Sequence, residues 1–109
     1  MSTKSFQQFY SRLVKTLPMN DVVFIAELYS RDLLPDDLKE HVESLATSAK
    51  KATYFLDHVI KPSVTSGSGN TFDELLNVME DSDYQHVREL ATLIKDSLRK
   101  ETADDADNG

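Results

Sequence analysis

The residues able to do chemistry are few and scattered. Histidines stand at His41, His58 and His86. Asp36-x-x-x-Glu40-His41 offers two carboxylates one helical turn apart with an imidazole beside them, but a metal ion wants three or four convergent donors. Only Asp36 and Glu40 share a helix face by spacing, so no metal site is expected. Asp57 and His58 are adjacent and point apart on a helix. No nucleophile elbow accompanies them, so Ser–His–Asp catalysis is not expected. Gly67-Ser68-Gly69 lacks the following Lys-Ser/Thr of a phosphate loop and reads as a flexible link. The chain has no cysteine, which removes disulfides, thiolate metal sites and cysteine nucleophiles. These residues lead us to expect no enzyme and no cofactor, and a function carried by surfaces.

Charge is the feature that could define such surfaces. The stretch 22–45, VVFIAELYSRDLLPDDLKEHVESL, carries Glu27, Asp32, Asp36, Asp37, Glu40 and Glu43. Arg12, Lys15, Lys50, Lys51 and Lys61 lie on either side of it. Each set also has an ordinary reading. Carboxylates at helix starts favour the helix dipole, and scattered lysines are common on surfaces. Net charge is −7, of which −4 belongs to residues 101–109, leaving a body of −3. A mildly acidic body argues against nonspecific binding of nucleic acid, which wants a clustered basic surface.

The elements that position these charges follow from apolar spacing. Phe6, Phe9, Tyr10, Leu13, Val14 and Leu17 recur at three and four and predict a first helix over 5–17, capped by Ser2, Thr3 or Ser5 and ended by Pro18. Asn20 or Asp21 caps a second helix reaching about Arg31. Its run Val22-Val23-Phe24-Ile25-Ala26 is apolar nearly all round, so a central, mostly buried helix is expected, with Phe24 and Tyr29 packed in the core. After the turn Asp32-Leu33-Leu34-Pro35, a third helix covers 35–45, with Leu38, Val42 and Leu45 inward; Pro35 suits its first turn. Thr47 or Ser48 caps a fourth helix with Ala52, Phe55, Leu56, Val59 and Ile60 inward, closed by Pro62. Residues 63–70 read as a loop. Thr71-x-x-Glu74 and Ser82-x-x-Gln85 are candidate capping boxes opening the fifth and sixth helices. Phe72, Leu75, Leu76 and Met79 form one stripe; Val87, Leu90, Ala91, Ile94 and Leu98 form the other. Met19 and Met79 suit gaps in the core. Residues 101–109 are small, polar and acidic, and are expected to be disordered.

At 109 residues, 39% hydrophobic and 28% charged, the chain has the size and composition of one soluble domain. No stretch alternates long enough for a strand. No apolar run reaches the roughly 20 residues of a membrane span, and MSTKSFQQFY lacks the apolar core of a signal peptide. The expected fold is an all-α, six-helix antiparallel bundle over 1–100, followed by the acidic tail.

LYSRDLLPDDLKEHVES (28–44), SAKKATYFLDHVI (48–60) and TFDELLNVMEDSDYQHVRELATLI (71–94) together resemble the caspase-recruitment domain (CARD) family of the death-fold superfamily. The resemblance covers roughly residues 6–98 and lies in apolar spacing. It implies a cytoplasmic adaptor in apoptotic or innate-immune signalling, binding other CARD-containing proteins or itself and assembling oligomers that bring caspases or kinases together. It also implies a contact between a basic surface of helices one and four (Arg12, Lys50 and Lys51) and an acidic surface of helices two and three (Glu27, Asp32, Asp36, Asp37 and Glu40). Two features depart from the family pattern. The segment 61–70 is longer than the turn most members carry, and Tyr10, Thr53 and Asp57 stand where many members place basic residues. A helical regulatory or structural domain holding a peptide in an apolar groove is the alternative.

Overall fold

A computed structural model describes residues 2–66 and 70–108. All regular structure among the described residues is helical. The elements are α1 (Ser2–Thr16), α2 (Val22–Ser30), α3 (Asp36–Ser44), α4 (Ser48–Phe55), a π-helical segment (Leu56–Ile60), α5 (Lys61–Ser66), α6 (Thr71–Glu80) and α7 (Gln85–Asn108). The π segment joins α4 to α5 without a break, so the chain makes six rods among the described residues.

One apolar core holds them together. Phe6, Phe9 and Leu13 of α1 meet Ala52, Phe55, Leu56 and Ile60 of the fourth rod, and Leu75, Leu76 and Met79 of α6 meet Val87, Ala91 and Ile94 of α7. The stripes expected from spacing supply these residues in α1, the fourth rod, α6 and α7. Met19 and Met79 are buried among them. α1 packs on α4, α5 and α7, α3 on α4, and α2 on α6. Ser5, buried at 1% exposure, meets Ser97 Oγ at 3.4 Å and clasps α1 to α7. It lies inside α1 rather than at its cap, because the helix opens a turn earlier, at Ser2.

α2 departs from expectation. Phe24, Ile25 and Leu28 are buried, but Val22 and Val23 are 81% and 68% exposed, and Tyr29 is 43% exposed. The helix has one inward face only, packed on α6, and its all-round apolar run leaves a surplus at the surface. Leu33 and Leu34, expected merely to form a turn, are buried instead. They get there through a Schellman ending: Leu33 N–H donates to Leu28 O at 2.9 Å, and Asp32 N–H to Tyr29 O at 3.1 Å. Asp32 takes φ 62° to close it, a left-handed conformation that Asp tolerates better than most side chains.

The fourth rod does not end at Pro62. Lys61 N–H donates to Leu56 O, five residues back. This wider turn precedes the proline, whose ring would crowd the carbonyl four residues before it in a regular α-helix. The helix then continues to Ser66 and buries Val64, so residues 63–66, expected as loop, are α5. Residues 67–69 of the expected link lie outside the described residues.

Caps divide the same way. Asp21 Oδ1 accepts from Val23 N–H at 2.8 Å, and Thr47 Oγ1 from Lys50 N–H at 3.1 Å. Thr71 is already helical, behind Asn70, whose side chain makes no capping bond, so the first capping box is not formed. Ser82 Oγ accepts from Tyr84 N–H at 3.2 Å inside the α6–α7 turn instead of capping α7. The backbone of α7 continues as helix to Asn108, into the segment for which the sequence suggested no order.

Candidate interaction surfaces

On α1 and the fourth rod the charge is nearly all positive. Neither α1 nor α4 contains an acidic residue. Arg12, Lys15, Lys50 and Lys61 are exposed. Lys51 is half-buried, and its Nζ donates to Asn20 Oδ1 at 2.8 Å. None of these five cations forms an ion pair among the described residues. The carboxylate in this part of the chain, Asp57, accepts the Tyr10 hydroxyl at 2.7 Å. Burial, reinforced by that carboxylate, pushes the Tyr10 hydroxyl up to about 12.

The acidic set divides in two. Asp32, Asp36, Asp37 and Glu40 are exposed around the α2–α3 corner. Asp36 Oδ1 accepts the Tyr29 hydroxyl at 2.6 Å, and this hydrogen bond raises the pKa of Tyr29. Asp32, Asp37 and Glu40 have no ion-pair partner among the described residues. Lys39 pairs with Glu43 at 3.2 Å and lies 5.6 Å from the Tyr29 ring centre. Glu27 faces elsewhere. It shares Arg31 with Glu74 and Asp81, at 3.5, 3.7 and 2.7 Å respectively. Arg31 thus ties α2 to α6 and partly neutralises Glu27.

Three features escaped the sequence reading. Tyr84 donates its hydroxyl to Asp21 Oδ2, so one carboxylate both caps α2 and holds the α6–α7 turn. The Tyr84 bond, with help from Val23 N–H, lowers the pKa of Asp21, and the Asp21 carboxylate raises that of Tyr84. Tyr84 lies with Val23, Phe24 and Arg31 along an open groove of about 370 Å³ between α2 and the α6–α7 turn. The Tyr54 ring sits between two imidazoles, with His41 at 4.3 Å and His58 at 4.0 Å between ring centres. His58 Nδ1 donates to Tyr54 O at 3.0 Å. The Tyr54–His58 pair has i,i+4 spacing and was legible in principle; His41 arrives from another helix.

No three His, Cys, Asp or Glu side chains converge on a metal-sized site among the described residues, and none of the helices so described is long and apolar enough to cross a membrane. Comparison of the chain with protein-family models, curated proteins and solved structures gives no match.

Proposed function

We propose that this chain is a homotypic interaction module of the death-fold type, a CARD-like adaptor that recruits caspases or kinases in apoptotic or innate-immune signalling. The observation that carries the reading is the distribution of ion pairs. Among the described residues every ion pair draws its cation from Arg31, Lys39, Lys95 or Lys100. Arg12, Lys50 and Lys51 on one set of helices therefore keep their charge uncommitted, as do Asp32, Asp37 and Glu40 on another. Opposite charge on two different surfaces of one molecule favours head-to-tail association, which grows as an open filament when its rotation does not close. Such charge steers encounter and rejects wrong partners more than it supplies affinity.

Two half-blocked variants test this. Lys50→Glu with Lys51→Glu spoils the basic surface; Asp36→Lys with Glu40→Lys spoils the acidic one. Each alone is expected to be monomeric. Mixed, they are expected to form a one-to-one dimer through the intact surface of each, read by light scattering. Two variants that stay monomeric when mixed, or that each assemble as the parent does, contradict the reading.

A further inference from the structure

Between α1 and the fourth rod lies a pocket of about 540 Å³, lined by Phe6, Gln7, Tyr10, Asp57, Lys61 and Thr65. Asp57, Lys61 and Thr65 recur at four-residue spacing along one continuous rod, which brings a carboxylate, an ammonium and a hydroxyl to the same pocket. The apolar wall comes from α1, where the Phe6 and Tyr10 rings meet edge to face with 5.6 Å between centres. The volume falls within the roughly 300–1,000 Å³ of small-molecule sites.

The two charges in this pocket do not meet. Glu27–Arg31 and Asp96–Lys100 have the same order and spacing and pair at 3.5 and 3.3 Å, whereas Asp57 and Lys61 form no ion pair among the described residues. Two features keep them apart. The backbone between them is π-helical, with Lys61 N–H donating five residues back to Leu56 O, and the wider turn shifts Lys61 out of register with Asp57. Asp57 is also drawn to α1, where its Oδ1 accepts the Tyr10 hydroxyl at 2.7 Å. That bond occupies one oxygen. Oδ2 accepts nothing among the described residues, and a carboxylate has room for several donors. π turns within helices are frequent at functional sites. We infer that the pocket binds a small zwitterion of the α-amino-acid class with an apolar side chain. Its ammonium donates to Asp57 Oδ2, its carboxylate accepts from Lys61 Nζ and the Thr65 hydroxyl, and its side chain lies against the Phe6 and Tyr10 rings. A ligand of one charge leaves either Asp57 or Lys61 unanswered; a zwitterion answers both. None of Arg12, Lys50 and Lys51 lines the pocket, so this binding does not depend on the self-association proposed above.

The test titrates the full chain, labelled for amide NMR, with three probes: L-phenylalanine, N-acetyl-L-phenylalanine, which lacks the ammonium, and L-phenylalaninamide, which lacks the carboxylate. L-phenylalanine is expected to shift the amides of Gln7, Tyr10, Asp57, Lys61 and Thr65 along one saturating curve. Each capped probe is expected to bind about tenfold or more weakly, the loss of one charged hydrogen bond. Lys61→Gln removes an exposed ammonium, so the melting temperature should be unchanged. That variant is expected to bind L-phenylalanine about tenfold less tightly than the parent, and L-phenylalaninamide as the parent does. Shifts that are absent or never saturate contradict the inference. So do capped probes that bind as tightly as L-phenylalanine, because apolar contact alone would then account for them. Undiminished binding of L-phenylalanine to Lys61→Gln overturns it as well.

Discussion

Tyr10 donates its hydroxyl to Asp57 at 2.7 Å, joining α1 to the π segment of the fourth rod. The bond engages the carboxylate of an otherwise basic part of the molecule, where it would compete with an incoming acidic partner. Removing it with Tyr10→Phe is expected to cost about 1.5 kcal/mol, the low end of the range for a hydrogen bond to a charged group, because the pair is only part-buried. The denaturant midpoint measures that loss. The pH dependence gives a second reading. Tyr10 holds its proton to about 12 in the folded protein, against about 10 for a free tyrosine. Its contribution is therefore complete below pH 10 and declines as pH rises from 10 to 12. The stability difference between the parent and Tyr10→Phe should shrink across that interval.

Asp21 behaves in the opposite sense. The Tyr84 hydroxyl, helped by the backbone of α2, lowers its pKa in the folded state. Its contribution is present above the ordinary carboxylate range and is lost as pH falls through the lowered value. Asp21→Ala is expected to lower the melting temperature at neutral pH and to show a weaker further decline in acid than the parent. Tyr84→Phe should reproduce part of the change while keeping the α2 cap. Thermal melts between pH 2 and pH 7 on the three proteins check both statements.

Arg31 meets three carboxylates from α2, α6 and the turn after α6. Replacing it with Ala leaves Glu27, Glu74 and Asp81 repelling one another. The expected loss is about 1 kcal/mol at low ionic strength, because the guanidinium is partly exposed and single surface pairs contribute about 0–1 kcal/mol. The loss should diminish with added salt. Denaturant titration of Arg31→Ala at low and high salt measures both effects.

Apart from α5, the helices were legible because apolar residues recur at three- and four-residue spacing, and type and place narrowed two caps to Asn20 or Asp21 and to Thr47 or Ser48, of which Asp21 and Thr47 make the bonds. Other features depended on information that local pattern does not hold. α2 looked central because its first five residues are apolar, yet only the side packed on α6 needed them. Pro62 looked terminal because a regular helix would exclude it, whereas the π turn before it gives the room. Arg31 read as one more surface charge; its partners Glu74 and Asp81 lie far along the sequence and meet it only in the folded protein. The helices that carry the charges were legible; the partners of those charges were not. Arg12, Lys50 and Lys51 fall on α1 and α4, which pack together, while Glu27 leaves the acidic corner for Arg31.

The central claim is association between uncommitted opposite charges on separate surfaces. Sedimentation velocity tests it most directly, over a range of protein concentrations at low and high salt, on the parent chain and on Lys50→Glu with Lys51→Glu. The account predicts a parent sedimentation coefficient that rises with concentration and falls back with salt, and a variant that sediments as a monomer with its helicity intact. A parent that is monomeric throughout, or a variant that assembles as the parent does, would contradict it.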